Sequence, residues 1–411
     1  MSDALLVVWI ALLGADRVDL LGGIVPFAFT PFLALTPVVV LSELLRRHGL
    51  ARPLSLPRPA IAYLVAALTL LSLVLVSVFV STELSTSAAR AALLLALVVG
   101  TFVVALAAHD RVHFARLLAR GAVYGVLVFV AFDVVELFDF IAGAADTFRA
   151  GPLAIRLVPF TYGQFIPRLS GPVADPNRAG LLLLFYAFVI GRSGWSQGKR
   201  WSWIAVVLAL ILLTISRSAA LAVIAAAAVA LAERRDVRVP AFALFAGTLA
   251  LAAATTFLLA APAERSRLGV TLAPLVQRLS LAEGSATSHL TLVERGISEG
   301  TASVPRATTG LGFGNSYTVL QDVFPGNRYG NFHSLYVSMF AESGIFALLV
   351  TLVLLGVPLV RAGPWRGLVA GVAVFSIFYQ AAAEPVFWTI LALAWLTMQE
   401  SRSTASTSPE S

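Results

Sequence analysis

Apolar residues run along this chain in blocks of about a bilayer's length, broken by short polar or basic stretches. A helix that crosses a bilayer needs ~20 predominantly apolar residues. Ala60 to Val80, Ala91 to Ala108 and Trp203 to Thr214 contain no charged residue at all. The pattern predicts twelve spanning segments, at 4–22, 24–45, 60–81, 88–108, 117–141, 176–191, 201–215, 218–233, 241–261, 334–360, 367–382 and 384–399. Asp16, Arg17 and Asp19 interrupt the first, and the sixth is short. The expected fold class is therefore all-α, a polytopic membrane protein. Residues 1–399 form a single integral membrane domain, and 400–411 form a disordered cytoplasmic tail. Composition agrees: 59% of residues are hydrophobic and 12% charged, against ~25% charged in a soluble domain.

The basic residues set the orientation, because cytoplasmic loops carry an excess of Lys and Arg. Connections that follow even-numbered segments hold Arg46, Arg47, Arg52 and Arg58, then Arg111, Arg116 and Arg120, then Arg192, Lys199 and Arg200. Arg234, Arg235 and Arg238 follow, then Arg361 and Arg366. On the opposite side, Ser81 to Ser87 and Ala381 to Glu384 carry none. Both termini are thus expected in the cytoplasm, and the long connections 142–175 and 262–333 outside. The formal charge of +7 is spread over these loops and does not argue for nucleic acid. Met1 to Leu13 lacks the basic region and cleavage site of a signal peptide.

The connection between segments nine and ten, 262–333, is too long to lack structure of its own. Glu264 to Leu281 places Leu268, Leu272, Leu275, Val276 and Leu279 at helical spacing, which suits an amphipathic helix on the membrane surface. Ser288 to Glu299 predicts a second short helix, and Gly310, Gly312 and Gly314 a tight turn. No strand precedes those glycines and no Lys-Ser/Thr follows, so they are not a P-loop. An Asp-x-Asp motif of nucleotide-sugar enzymes is absent as well. Without cysteine, disulfides, thiolate catalysis and Cys-ligated metal centres are excluded.

Polar residues at or within the membrane are candidates for function, because hydrocarbon makes them costly. His333 opens the tenth segment at its external end, and its imidazole suits general-base work near neutral pH. Glu342 lies nine residues on, too deep to pair with it, and is expected to tie helices together. Arg217, between Ser216 and Ser218 at the external rim, is either a snorkelling anchor or a bidentate phosphate ligand. Asp175-Pro176-Asn177-Arg178 reads as an N-cap followed by proline in the first turn, with Asn177 and Arg178 at the possible rim of a site. Asp133, Glu136 and Asp139 share one helix face. They suit a cation or proton path in a secondary transporter or flippase, or pairing with arginines, the favoured reading. Asp16 and Asp19 imitate the first-loop acid of other membrane glycosyltransferases on a very short connection.

The order of these pieces resembles the O-antigen ligase and polymerase superfamily. The resemblance covers about Asp175 to Trp388, and its marks are Gly171 to Asn177, then Ser216-Arg217-Ser218, then the long connection ending in Gly310-Leu311-Gly312. Last comes His333-Ser334, nine residues, and Gly344. The resemblance implies a glycosyltransferase of the bacterial cytoplasmic membrane that uses neither metal nor nucleotide cofactor. Its donor would be a glycan on a polyprenyl diphosphate, its acceptor the hydroxyl of a glycan or lipid-linked molecule, and its partners membrane lipids. By position, Arg217 would hold the diphosphate and His333 would activate the acceptor hydroxyl. The family often has a second arginine about twenty residues before the glycine turn. Here His289 stands in that region and Arg295 six residues later, so either would serve as the second diphosphate ligand.

Overall fold

The computed structural model describes residues 3–22, 28–49, 56–109, 113–142, 147–156, 160–162, 166–233, 284–323, 325–326, 330–361 and 363–399. The ninth predicted span, the amphipathic segment Glu264 to Leu281 and the tail lie outside the described residues.

The chain is predominantly helical. Helices α1 (Asp3–Ala11), α2 (Pro31–Gly49), α3 (Arg58–Phe79), α4 (Leu84–His109) and α5 (Phe114–Ala142) come first. Helices α6 (Pro176–Gly191), α7 (Gln197–Leu213) and α8 (Arg217–Glu233) follow a strand-bearing connection. Later in the chain lie α9 (Gly284–Thr301) and α10 (Val304–Thr309), before the glycine turn, and α11 (Leu335–Arg361), α12 (Arg366–Phe378) and α13 (Pro385–Leu396) after it. Among the described residues, four helices are long and apolar enough to cross a membrane: Arg58–Phe79, Leu84–Ala107, Phe114–Ile141 and Leu335–Arg361. Their outward faces expose Val65, Leu68, Leu75, Phe79, Ile141 and Val360. Water tolerates no such continuous apolar surface, so these faces meet lipid and the protein is membrane-embedded. Helices α6 and α13 are too short for that test, yet almost wholly buried. Other helices surround them, which is why their sequences are apolar all round.

One expectation needs correction. The first predicted span, 4–22, is a helix of 9 residues followed by a turn and strand β1 (Val18–Asp19). Asp16 and Arg17 bond the loop before α6, Asp16 Oδ1 accepting from Ala174 N at 2.6 Å and Arg17 donating to Val173 O at 2.9 Å, and Asp19 Oδ1 accepts from Leu21 N (3.1 Å) and Phe29 N (3.2 Å). The chain is otherwise predominantly helical, consistent with the all-α expectation, and its strands are few and short. The connection 142–175 folds into β2 (Thr147–Ala150) and β3 (Leu153–Arg156), joined antiparallel with β1 in the order β1-β3-β2. A second hairpin pairs β4 (Phe160–Tyr162) with β5 (Ile166–Arg168). These strands are too short to leave a period-two pattern in the sequence. The helix expected at Ser288 to Glu299 is present as α9.

The connections sort to two ends of the bundle. At one end Arg192 donates to the Pro364 carbonyl at 3.1 Å, joining the turn after α6 to the turn before α12. At the other end meet the α3–α4 turn, the start of α6, the α7–α8 turn, the start of α11 and the α12–α13 turn. The candidate residues lie there.

Candidate active site

The glycine turn forms because α11 breaks. Gly344 has φ 85°, and the helix changes direction across it. The carbonyls of Ala341 and Glu342 accept instead from the N–H groups of Leu311 (2.9 Å) and Gly312 (3.1 Å). The Glu342 carboxylate, fully buried, accepts from Gly314 N at 3.0 Å and Ser316 N at 3.3 Å. Glu342 therefore ties α11 to the turn that lies in its break. A Cβ on Gly344 would sit 2.0 Å from the Thr308 carbonyl oxygen, so backbone contact alone requires glycine here. The α3–α4 end clamps the same turn: Ser77 Oγ accepts from Phe313 N (3.1 Å), Ser87 donates to Phe313 O (2.8 Å), and Arg90 donates to Gly314 O.

This clamp places His333. Phe332 is buried in a small satellite core with Leu292, Leu311, Leu320 and Ala341, whereas Leu335 belongs to the main core. Between these anchors His333 adopts φ 51°. Among the described residues only it and Ile215 (φ 50°) are non-glycine residues with positive φ. Such backbone costs about 1–3 kcal/mol and persists only where the surroundings over-determine it. Here the His333 N–H donates to Asn331 Oδ1 at 2.8 Å. Its ring meets the edge of His289 at a centroid distance of 4.6 Å and that of Tyr379 at 6.4 Å. Nδ1 is buried and has no hydrogen-bond partner among the described residues. Burial lowers the imidazole pKa below its ordinary 6.5, against the opposing charge of Asp175, so the ring is neutral at pH 7.

Arg217 begins α8 and is half-buried. The second strained residue, Ile215, precedes it by two positions. Arg168, buried, donates to the carbonyls of Thr214 (3.1 Å) and Ile215 (3.4 Å) and holds that turn. Asn177 Oδ1 accepts from Ser216 Oγ (2.8 Å) and Ser218 Oγ (3.4 Å), the hydroxyls on either side of Arg217. Asp175 caps α6 as its sequence suggested, accepting from Asn177 N (2.7 Å) and Arg178 N (3.3 Å). The start of α6 thus connects both candidates: Asn177 fixes the Arg217 turn, and Asp175 acts electrostatically on His333.

Compared with known proteins, the chain matches no family model and no curated sequence.

The remaining candidates separate cleanly. Arg295 is held by Glu299 (3.4 Å) and Asp322 (3.9 Å), six helical positions from His289 and so on another face of α9. Of the two, the structure brings only His289 to His333. Arg178 pairs with Asp16 (2.6 Å) and Glu384 (2.5 Å). Asp133 accepts from Gly171 N (2.8 Å) and Glu136 from Ser170 N (3.1 Å). Arg17 pairs with Glu136 at 2.6 Å and donates to Val173 O (2.9 Å) and Ser170 Oγ (2.6 Å). Glu136 pairs with an arginine as favoured, one from the broken first segment, and Asp133 joins it through the Gly171 N–H in fastening the loop that leads into α6. Asp139 does not share in that bonding and keeps Oδ2 buried without a hydrogen-bond partner among the described residues.

Sequence reasoning missed Arg17, Arg168, Asn331 and Tyr379. Arg17 carried a signal, being a charge inside an otherwise apolar segment. Arg168, Asn331 and Tyr379 carried none, because only the fold brings their loops to the site.

Proposed function

We propose that the chain is a membrane glycosyltransferase of the O-antigen ligase and polymerase type. It transfers a glycan from a polyprenyl diphosphate to an acceptor hydroxyl on the external face of the bacterial cytoplasmic membrane. The observation that carries the reading is His333: a neutral imidazole, on strained backbone, with a buried nitrogen that no group among the described residues hydrogen-bonds. A base kept unprotonated and unpartnered is poised to take a proton from a hydroxyl placed beside it.

In this reading the acceptor oxygen gives its proton to His333 and bonds to the anomeric carbon. The bond from that carbon to the diphosphate oxygen breaks, and the diphosphate leaves with the electron pair. Attack is direct, so the anomeric centre inverts. Arg217 neutralises the charge that grows on the diphosphate, an electrostatic contribution that is large at a partly dry rim. Ser216, Ser218 and Asn177 fix the turn that aims it, and His289 is the nearer of the two candidates for a second ligand. The C-terminus lies in the cytoplasm and residues 262–333 outside, which puts His333 where lipid-linked glycans are exposed.

The test uses purified protein, a polyprenyl-diphosphate glycan and a panel of acceptors, with donor and product separated on a gel. Wild-type protein transfers the glycan and His333→Ala does not. Equal transfer by both removes the base from the mechanism. Reporter fusions at Ala286 and Ser411 test the topology, and cytoplasmic activity at Ala286 overturns it. A transporter or flippase built on Asp133, Glu136 and Asp139 predicts the converse: little effect from His333 and loss only when those acids are neutralised. Two of the three are already committed to the 170–171 backbone.

A further inference from the structure

A cavity of about 270 Å³ opens between α2, α3 and α4. Its walls are one face of α3, from Leu64 to Leu71, and one face of α4, from Val98 to Leu106. Glu43 and Leu44 near the end of α2, and Leu56 just before α3, complete it. These are the halves of α3 and α4 remote from the turn that joins them, so the space lies toward the end of the bundle opposite His333. The lined stretches make it a slot about 10–12 Å long.

The sequence explains why the helices leave a gap. Both α2 and α3 pack on α4. Where Gly100 faces Thr36, α2 and α4 touch, since a Cβ on Gly100 would lie 2.6 Å from the Thr36 methyl. Pro37 comes next on α2, and proline inside a helix removes a backbone hydrogen bond and favours a bend. Toward the end of α2, the space between it and the other two helices is this slot. Leu44, Leu68 and Val99 line it and are also exposed, so it opens sideways on faces that meet lipid.

The lining says what fills it. Glu43 is its one polar residue among those described, and Arg46 already holds both carboxylate oxygens, at 2.9 and 2.5 Å. A trapped water needs about two to four polar partners, which this wall does not offer. An empty slot would forfeit dispersion contacts along every wall. A hydrocarbon chain entering from the bilayer meets neither objection. The head of that lipid is set by the rim. Arg58 stands exposed in the first turn of α3, two positions after Leu56. Glu43 matches the charge of Arg46, whereas no carboxylate among the described residues pairs with Arg58. A guanidinium at a membrane surface selects phosphate oxygens and net negative charge.

We propose that this slot is a binding site for an anionic phospholipid of the leaflet opposite His333. One acyl chain lies between α2, α3 and α4, and the phosphate rests on Arg58. The site shares no residue with the candidate active site, so it stands or falls apart from the transfer reaction.

The experiment uses the full chain in nanodiscs containing phosphatidylglycerol with a diazirine in mid-chain, followed by mapping of the photolabelled residues. Wild-type protein should be labelled at Ala67, Val98 and Phe102, which are buried and reached only from inside the slot, as well as at Leu75 and Val76 on the outer wall of α3. Leu68→Trp and Val99→Trp, on two different helices, fill the mouth from exposed positions that the fold does not depend on. Each should lose the inner labels and keep the outer ones. Wild-type protein should prefer phosphatidylglycerol to phosphatidylcholine at the inner positions by about fivefold, the factor one interfacial arginine supplies, and Arg58→Gln should lose that preference. Labels confined to the outer wall of the wild-type protein, or inner labels unchanged in both tryptophan variants, overturn the proposal. So does displacement of the inner labels by polyprenyl phosphate and not by unlabelled phosphatidylglycerol, which would give the slot to a carrier tail. If a tryptophan variant shows no thermal transition, the headgroup comparison in wild-type protein decides, and equal labelling by the two lipids refutes the site.

Discussion

Replacing His333 by glycine and by alanine separates its chemistry from its backbone. Both variants remove the imidazole, and a general base contributes typically 10²–10⁴-fold, about 3–5 kcal/mol of barrier at 1.36 kcal/mol per decade. Both should therefore lose most glycan transfer. Stability should not change in the same way. At φ 51° an alanine Cβ meets the following carbonyl at a cost of about 1–2 kcal/mol, which glycine does not pay. His333→Gly should thus unfold at a higher temperature than His333→Ala while being equally inactive. Thermal unfolding in nanodiscs and transfer in the same preparations give the two readouts. The glycine variant also leaves an imidazole-sized gap beside His289 and Tyr379, so added imidazole should restore part of its activity in proportion to the unprotonated fraction. A purely structural histidine predicts the reverse coupling, with the more stable glycine variant the more active and imidazole without effect. That result would refute the reasoning.

Other outcomes follow from the same geometry. Arg217→Lys keeps the charge but loses the bidentate fork, so transfer should collapse at normal protein level, and full activity would return Arg217 to an anchoring role. Glu136→Gln leaves Arg17 buried without its charge partner, which typically costs 3–5 kcal/mol, and should appear as a lowered Tm with transfer surviving in whatever protein remains folded. Transfer rate against pH should fall on the acid side with a midpoint below 6.5, because burial lowers the His333 pKa. The linkage has the same sign: the unfolded chain binds the proton more tightly, so stability rises with pH between the lowered value and 6.5. An acid limb centred above 6.5 would contradict this placement of the histidine.

Much of the protein was legible in the sequence. The apolar blocks determine that lipid surrounds the bundle, because no soluble core could bury them. Asp175 and Pro176 announce the start of α6 by capping chemistry that needs no tertiary partner. The glycines at 310, 312 and 314 announce a turn for the same local reason. His333 and Arg217 were also visible, as polar residues where polarity is costly. What the sequence could not carry is anything decided by contact between distant segments. Arg17 breaks the first segment because the loop before α6, about 150 residues away, needs its guanidinium. Gly344 stood in the sequence only as part of a resemblance, and the reason for it, a Thr308 carbonyl in the place of its Cβ, is tertiary. His289 and Arg295 look interchangeable on a line, and only the packing of α9 turns one toward His333 and the other toward Asp322. Local signals depend on neighbours in the chain. A site depends on neighbours in space, and here five separate connections had to meet before a histidine and an arginine turn came to share one end of the bundle.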